Sequence, residues 1–436
     1  MMKLKLMIST VALSILSHSQ VYAVANFTKI MASYDLTPKY HGLCTLDDKG
    51  NIGGLNPHRK VRLASVTKLL TTLWAVEKIG PDFKYDTKFF EKDGDIHIAG
   101  DLDPIFSTRK LFFLISQLNN MGITEINNLT FDKNLKIFTG AEGYSGSILN
   151  ISPERTAQNL RDFFNTDAWE KLKVAYTAFI KSTPKSVIDA LQIRDSLDDI
   201  SLKVKSIRYV EENPFKDDQS AVKEMTHLSP EIEKYLKLMN IQSNNYIADQ
   251  VFEKLGGTKA FEKYVNPIVE EDFPDYKNER LEYSANEPSI VINSGSGLNT
   301  VKNGARFDNY ATCAIVVKLI KRLDQKMMDL DRKIQEIVAV PGSDGGTFRT
   351  RLNTPRIANS IVAKTGTLFH TSALAGKVST KNGDVYFGVF HQLQGWKGNA
   401  KMAQNEIVTE IIDANGGPKK FDYKKEYFFP ADQILQ

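Results

Sequence analysis

The sequence contains almost no cysteine and very little excess charge. Cys44 and Cys313 are its only cysteines, which excludes a disulfide scaffold, a cysteine-ligated zinc site and an iron–sulfur cluster. The two residues could pair with each other or stay free. Lysine and arginine number 56 against 52 aspartate and glutamate residues, so the chain lacks the basic surplus of most nucleic-acid-binding proteins. We therefore expect no nucleic-acid partner.

Two more absences concern metals and membranes. The histidines form no H-E-x-x-H motif and no close pair, and the glycine-rich segment 342–346 lacks the G-K-[ST] of a phosphate loop. We therefore expect neither a metal ion nor another cofactor. Beyond the amino terminus, no apolar run approaches the roughly 20 residues that a membrane-spanning helix needs.

The amino terminus has the features of a secretory signal. Two lysines precede a mostly apolar stretch, Leu6–Leu16, and small residues near Ala23 and Ala25 match the pattern that a signal peptidase cleaves. The apolar stretch is too short for a membrane anchor. We expect residues 1–23 to be a signal peptide that is cleaved near Ala23 or Ala25 when the protein enters the periplasm.

The rest of the chain has the composition of a globular protein, with 42% hydrophobic and 25% charged residues. Near its start, strand-like segments at 39–46 and 60–63 flank a turn, which predicts a hairpin. Residues 96–225 differ from their surroundings, because they mix short strands with an amphipathic helical stretch. They predict an inserted domain that interrupts a larger one, formed by residues 24–95 and 226–436.

The first candidate for catalysis is Ser65-Val66-Thr67-Lys68, at the start of a helix that is apolar nearly all round. Three residues make about one helical turn, so the lysine amine can reach the serine hydroxyl. Burial favours a neutral amine that can accept the serine proton, and the N–H groups at a helix start favour developing negative charge. The same spacing at Ser107–Lys110 and Ser182–Lys185 makes the motif weak alone, but neither of these begins so apolar a helix.

Two further candidates follow along the chain. Ser243 and Asn245 lie between helical stretches, where the hydroxyl can relay a proton and the amide can bind a substrate carbonyl or amide. A second S-x-N match, Ser284–Asn286, shows that this pattern is also common. Lys364-Thr365-Gly366-Thr367 follows a strand-like segment, and its cation and hydroxyl suit a substrate carboxylate, while Gly366 permits close approach of a backbone.

The order of the three motifs is more specific than any one of them. With S-x-x-K, S-x-N and K-T-G in sequence, the chain resembles the penicillin-recognising serine acyltransferases. More closely, it resembles the class C low-molecular-mass penicillin-binding proteins, the D-alanyl-D-alanine carboxypeptidase/endopeptidase family. Other segments similar to that family are Arg62–Lys68, Ala99–Pro104, His227–Pro230, Met239–Asn240, Gly295–Leu298, Pro341–Thr347 and Ala373–Gly376.

The resemblance implies an α+β fold. The expected architecture is a β-lactamase/transpeptidase-like domain, in which helices flank an antiparallel sheet beside a helical lobe. An inserted accessory domain is expected to be shorter than in the fuller family members. The resemblance also implies peptidoglycan stem peptides as substrates and β-lactam antibiotics as covalent inhibitors.

The resemblance further assigns a role to each motif residue. Ser65 would be the nucleophile, Lys68 its general base, and Ser243 the group that passes the proton to the leaving amine. The backbone N–H groups of Ser65 and Thr367 would form the oxyanion hole. The implied substrate contacts are Asn245 at the amide, Lys364 and Thr365 at the terminal carboxylate, Gly366 and Thr367 beside them, and Asp132 at the side chain of the diamino acid.

Two departures from the family pattern affect the expected substrate. Thr300 stands where the family commonly has an arginine, and Phe369 follows the K-T-G motif. Both differences put in doubt the usual handling of a diaminopimelate-type side chain.

Two other functions and one membrane contact remain open at this point. A serine β-lactamase forms the same acyl-enzyme, but no glutamate can be assigned as the base for deacylation and the insert argues against it. An inactive cell-wall-binding homologue would usually have lost a catalytic side chain, whereas all of them are present here. The carboxyl-terminal lysines and aromatic residues between 419 and 429 could make a weak peripheral contact with an anionic membrane.

Overall fold

The computed structural model describes residues 26–140, 151–273, 288–392 and 397–436. The predicted signal peptide lies outside these residues, as does the S-x-N match at 284–286. The described chain forms two compact units. The first comprises the described parts of Met1–Ile79, Met239–Ser243 and Val251–Lys425, and the second those of Gly80–Leu238, Asn244–Gln250 and Glu426–Gln436.

The described chain contains both helices and strands in nearly every region. The helices are α1 Thr67–Lys78, α2 Thr108–Asn120, α3 Pro153–Phe163, α4 Lys171–Ser182, α5 Lys185–Ala190, α6 Ile232–Gln242, α7 Asn245–Lys254, α8 Gly257–Asp272, α9 Cys313–Asp329 and α10 Gly398–Ala414. The strands are β1 Gly42–Leu46, β2 Ile52–Leu55, β3 Lys60–Arg62, β4 Asp86–Lys92, β5 Asp95–Ala99, β6 Glu125–Phe131, β7 Lys203–Tyr209, β8 Lys223–Leu228, β9 Ile290–Val291, β10 Thr300–Lys302, β11 Ala305–Phe307, β12 Tyr310–Thr312, β13 Ile361–Leu368, β14 Thr371–Thr380 and β15 Gly383–Gln392.

The first unit is built on an antiparallel sheet with the strand order β13-β14-β15-β1-β2. Strand β13, which carries the K-T-G motif, lies at one edge. Helix α9 packs against β1, β14 and β15. A separate apolar cluster joins β13 and β14 to the buried side of α10, where Ile407 and Ile411 lie. Helices cover both faces of the sheet here, so every residue of β14 is buried, and the middle of the strand, Ala373–Gly376, is apolar.

The predicted hairpin near the start of this unit has a different second strand. Strand β1 turns through residues 47–51 as expected, but it pairs with β2. Strand β3 instead joins a three-stranded sheet with β12 and β9. The prediction failed because β2, with the sequence Ile52-Gly53-Gly54-Leu55, carries too few apolar and β-branched residues to be recognised as a strand.

A disulfide bond links Cys44 in β1 to Cys313, the first residue of α9, with the two Cα atoms 5.9 Å apart. Both residues are buried. The bond therefore fixes the helix to the middle of the sheet, and it answers the question that the sequence left open.

The second unit contains a mixed sheet with the strand order β7-β6-β5-β4-β8. Pairs β5–β6 and β6–β7 are parallel, and the other pairs are antiparallel. The predicted ends of the insert, residues 96 and 225, fall inside β5 and β8. Strand β4 pairs with both of these strands, and the compact unit around this sheet includes Gly80–Leu238. The bounds of the inserted domain stay a prediction.

The carboxyl-terminal segment belongs to the second unit. Phe429 and Leu435 are buried in its apolar core, and the Arg109 guanidinium lies 5.0 Å above the ring of Phe429. The backbones of Thr226 and Gln436 exchange hydrogen bonds. Two apolar side chains near the end of the chain are thus buried within the unit. The membrane contact of this region stays a prediction. In the described part of the chain, no helix combines the length and the hydropathy needed to cross a membrane.

His41 and His391 lie against each other inside the first unit, with ring centroids 4.8 Å apart. Nδ1 of His41 accepts a hydrogen bond from the backbone N–H of Gln392, which requires an unprotonated nitrogen. Burial, with a contribution from the charge of Arg59, lowers the pKa of His41 to about 4. Burial, His41 and Arg351 lower the pKa of His391 to about 3. Both histidines are therefore neutral in the folded protein at neutral pH.

We expect mild acid to destabilise the first unit. The folded-state pKa values lie below the ordinary histidine value of about 6.5, so the unfolded chain binds more protons as the pH falls below that value. Stability is then lost progressively until the folded pKa values are reached. Between about pH 7 and about pH 5, each histidine should lower the free energy of unfolding by about 2 kcal/mol, which urea unfolding at the two pH values would measure.

The control for this prediction is His391→Phe, which keeps a ring in the same space and removes one titrating group. This variant should lose about half of the histidine-dependent pH effect. If its free energy of unfolding fell with pH as steeply as that of the wild type, the buried pair would not be the cause.

Candidate active site

The first serine–lysine pair forms as its spacing predicts. Ser65 lies in a short 3-10 turn, Ala64–Val66, that leads directly into α1. Lys68 is completely buried, and its Nζ lies 3.1 Å from Ser65 Oγ. The same amine donates a hydrogen bond to the backbone carbonyl of Ser296, at 2.7 Å. The amine is therefore within reach of the hydroxyl proton and is oriented by a fixed acceptor.

The backbone before Ser65 is held between two glycines. Ala64 has a φ of +48°, in the left-handed region that costs a non-glycine residue energy. A Cβ on Gly297 would lie 1.9 Å from the carbonyl oxygen of Ala64, and one on Gly366 would lie 3.1 Å from the Ser65 nitrogen. Only glycine fits at Gly297, and Gly366 lets β13 pass close to the nucleophile. The predicted role of Gly366 in close approach thus has a direct geometric counterpart.

A buried hydrogen-bond network fixes the loop whose Ser296 carbonyl accepts the hydrogen bond of Lys68. Thr71 Oγ1 donates to the carbonyl of Gly295 at 2.8 Å. Asn309 Nδ2 donates to the carbonyl of Ser294 at 2.7 Å and to Thr67 Oγ1 at 3.2 Å. Helix α1 is therefore connected to three consecutive residues of the loop before Gly297, which are Ser294, Gly295 and Ser296. The Gly295–Leu298 segment resembles the family, but its sequence does not indicate that the Ser296 carbonyl accepts the Lys68 hydrogen bond. No sequence pattern indicates the contacts of Asn309.

A second serine–lysine pair lies in the same unit. Lys364 on β13 is completely buried, and its Nζ donates to Ser243 Oγ at 2.9 Å and to the carbonyl of Thr365 at 2.8 Å. Ser243 follows α6 with a φ of +59°. Burial, and to a smaller extent the neighbouring charge of Lys68, holds the pKa of Lys364 well below its usual value. A negative group placed beside Lys364 would raise this pKa again, so the pair is suited to a carboxylate ligand.

The other two S-x-x-K motifs have different surroundings. Lys110 is also completely buried, but its amine forms an ion pair with the buried carboxylate of Asp103, which in turn accepts a hydrogen bond from Tyr235 at 3.0 Å. An adjacent carboxylate favours the charged form of an amine, so this pairing is unsuited to a general base. The side chain of Lys185 is 70% exposed and pairs with Asp189. Of the three motifs, Ser65–Lys68 has the arrangement that favours proton transfer.

The remaining candidates of the first unit lie on the edge strand. Thr365, Gly366 and Thr367 follow Lys364 on β13, and Thr367 is exposed. Among the described strands, β13 pairs only with β14. Its outer edge is hydrogen-bonded to the Ala339 carbonyl at Ala363, so the part of this edge that is suited to an extended peptide is the K-T-G-T segment that follows. The first unit thus brings together Ser65, Lys68, Ser243, Lys364 and the rest of the K-T-G-T segment.

Asn245 and Asp132 belong to the second unit. Asn245 is buried at the start of α7, and the ring of the next residue, Tyr246, stacks on Phe138 with a centroid distance of 5.0 Å. Asp132 Oδ1 accepts hydrogen bonds from the backbone N–H groups of Gly100, Asn134 and Leu135. This carboxylate therefore fixes a turn, and its contact with a substrate stays a prediction. The described residues contain no cluster of side chains suited to a metal ion.

Comparison with known proteins agrees with the site. The model of the D-Ala-D-Ala carboxypeptidase 3 (S13) family matches residues 25–147 and 197–411. The chain belongs to this family. It is therefore a serine-type D-Ala-D-Ala peptidase, and the predicted family and enzyme class are confirmed. No sequence among the curated proteins matches the chain significantly.

Solved structures with the same fold include two predatory endopeptidases from Bdellovibrio bacteriovorus. Bd3459, in complex with the immunity protein Bd3460, is 30% identical over 90% of this chain and 97% of its own, with a TM-score of 0.74. Bd0816, in complex with the same immunity protein, is 28% identical over 91% of this chain and 99% of its own, also with a TM-score of 0.74.

The structure of penicillin-binding protein 4 from Haemophilus influenzae is a more distant match. It is 17% identical over 89% of this chain and 99% of its own, with a TM-score of 0.55. This likeness concerns the fold, and it confirms the predicted α+β, β-lactamase/transpeptidase-like class.

Proposed function

We propose that this S13 peptidase is a penicillin-sensitive D-Ala-D-Ala carboxypeptidase, endopeptidase or both, which cleaves peptidoglycan stem peptides through an acyl-enzyme on Ser65. The observation that carries the proposal is the 3.1 Å approach of Lys68 Nζ to Ser65 Oγ in a buried site. The relative Bd3459 is described as a peptidoglycan endopeptidase and has been obtained in a form acylated by penicillin G.

In the proposed acylation step, Ser65 Oγ attacks the carbonyl carbon of the bond to be cleaved while Lys68 takes the hydroxyl proton. The new bond joins Oγ to this carbon, and the negative charge moves to the carbonyl oxygen. The backbone N–H groups of Ser65 and Thr367 stabilise that oxygen. Gly366 supports this arrangement because it allows β13 to lie against the Ser65 backbone.

Collapse of this intermediate breaks the bond from carbon to nitrogen. Ser243 passes the proton held by Lys68 to the leaving amine, while Lys364 and Thr365 bind the carboxylate of the departing D-alanine. The burial that lowers the pKa of Lys364 supports this role, because an arriving carboxylate would stabilise the charged form of this buried amine. Water then hydrolyses the ester on Ser65. We assign Asn245 to the substrate amide and Asp132 to the diamino acid side chain.

We also propose that the protein is exported to the periplasm after cleavage of its signal peptide. The buried Cys44–Cys313 disulfide supports this location, because such bonds persist in oxidising compartments. The proposal also includes a weak contact between the lysines near residues 419–425 and an anionic membrane surface. It would be dropped if the mature protein washed off membranes in low salt.

Mass spectrometry of the mature protein after incubation with penicillin tests this function. Wild type and Ser107→Ala, which alters the other buried S-x-x-K serine, should gain one stable adduct, while Ser65→Ala should gain none. The same spectrum gives the mass of the mature chain and therefore the position of signal cleavage.

The contrary outcomes are distinct. Rapid penicillin turnover without an accumulating adduct would indicate a β-lactamase. A folded wild-type protein without any adduct would indicate a binding protein that has lost catalysis. Release of D-alanine from a pentapeptide, compared with cleavage of a cross-linked dimer, would then separate carboxypeptidase from endopeptidase action.

A further inference from the structure

Asn240 is a completely buried amide in the last turn of α6, three residues before Ser243. Its Nδ2 donates two hydrogen bonds to groups far away in the sequence. One goes to Thr72 Oγ1 at 3.1 Å and the other to the backbone carbonyl of Ile337 at 2.9 Å. A single side chain on the Ser243 segment thus contacts two other elements of the first unit.

The first contact leads to the helix of the nucleophile. Thr72 lies one turn after Lys68 in α1, and its Oγ1 donates to the backbone carbonyl of Lys68 at 2.7 Å. The hydroxyl therefore accepts from Asn240 and donates to Lys68, which leaves it no freedom to rotate. Through this hydroxyl, the segment that carries Ser243 is coupled to the backbone of the general base.

The second contact leads to the K-T-G strand. Two residues after Ile337, the carbonyl of Ala339 accepts a hydrogen bond from the N–H of Ala363 at 2.9 Å. Ala363 directly precedes Lys364 on β13. The Ile337–Ala339 segment therefore connects the Asn240 amide to the strand that holds the second lysine.

The other end of the Asn240 amide makes no such contact. Its Oδ1 is buried and has no hydrogen-bond partner among the described residues. An unsatisfied buried oxygen is costly and calls for a reason. The two donor bonds, one to α1 and one to the segment that adjoins β13, supply that reason, because an apolar residue of similar size would avoid the cost and lose both connections.

We propose that Asn240 is a positioning residue that sets the distance between the Ser65–Lys68 pair and the Ser243–Lys364 pair. This inference rests on the proposed function and adds a residue to it. The proton that Lys68 receives must pass to Ser243, so the transfer depends on the relative placement of α1, α6 and β13. A displacement of about 1 Å in such an arrangement can slow a reaction by about 100-fold.

The test compares penicillin acylation of Asn240→Ala with that of a matched variant, Gln404→Ala. Gln404 is another completely buried amide of the first unit, and it donates to Ser372 Oγ rather than to a motif-bearing helix. Rates are measured per folded molecule, over a range of pH. Asn240→Ala should acylate about 10- to 100-fold more slowly, with a displaced pH profile, and Gln404→Ala should acylate within about twofold of the wild type.

Variants of Thr72 test the same connection independently of any folding defect at Asn240. Thr72→Val removes the hydroxyl and should slow acylation in the same way, whereas Thr72→Ser keeps it and should restore most of the rate. The double variant of Asn240→Ala and Thr72→Val should be little slower than the slower single variant, because both break one connection.

The outcomes separate this inference from the proposed function. A wild type that forms no acyl-enzyme would overturn the proposed function itself. If the wild type acylates and folded Asn240→Ala acylates equally fast with the same pH profile, the positioning role is wrong. A loss of rate in Gln404→Ala equal to that in Asn240→Ala would also overturn it, since the effect would then be one of general stability.

Discussion

Replacement of Lys68 with methionine is expected to slow acylation by penicillin on the order of 1,000-fold or more, because general-base catalysis contributes about 10²–10⁴-fold. Methionine has a similar length and is apolar, so it can occupy the completely buried position of Lys68. Methionine cannot accept the proton of Ser65, whose Oγ lies 3.1 Å from the lysine nitrogen. Stopped-flow measurement with a fluorescent penicillin would give the rate.

The chain provides a matched control in Lys110, which has the same S-x-x-K spacing and the same complete burial. Its amine forms an ion pair with Asp103, so Lys110→Met leaves a buried carboxylate uncompensated. We expect this variant to lose about 3–5 kcal/mol of unfolding free energy but to acylate within a few-fold of the wild-type rate per folded molecule.

The two variants should therefore differ in opposite ways in the acylation rate and in the free energy of unfolding. Lys68→Met should change the rate far more than Lys110→Met, and Lys110→Met should change the stability at least as much as Lys68→Met. If Lys68→Met acylated at the wild-type rate, another group would have to take the proton of Ser65, and the proposed assignment would be wrong.

The local parts of this site were predictable from the sequence. The spacing of Ser65 and Lys68 determines their proximity within one helical turn, and the apolar pattern of α1 determines its burial. The turn at residues 381–382 joins β14 to β15, and Gly383, the first residue of β15, supplies the positive φ that glycine favours. Each of these features depends on residues that are close together in the chain.

The long-range parts were not predictable from the sequence. Several contacts of the site join residues that are more than a hundred positions apart, and the chain between them does not define the contact. They are the hydrogen bonds from Lys68 to Ser296, from Asn309 to Thr67 and from Asn240 to Thr72. An asparagine in a turn or in a helix also has the same local pattern whether or not it is functional. The pairing of β4 with β8 was not predictable for a related reason, because these strands meet across the whole insert.

Reduction of the Cys44–Cys313 disulfide is expected to be the largest single loss of stability that leaves every active-site residue in place. The two cysteines are separated by 269 residues, and closure of a loop of that length removes enough entropy from the unfolded chain to stabilise the fold by about 5 kcal/mol. The bond also connects the central part of the sheet to α9, so its loss should affect the first unit.

Urea unfolding of the wild type with and without a strong reductant, and of the double variant Cys44→Ala and Cys313→Ala, would measure this contribution. Both sulfurs are buried, so the reductant should act only after local opening, and the reduced protein should unfold at a clearly lower urea concentration. The double variant should resemble the reduced wild type and respond no further to reductant. If the oxidised wild type and the double variant unfolded at the same urea concentration, the bond would contribute nothing to the stability of the fold, and the entropy argument would be wrong.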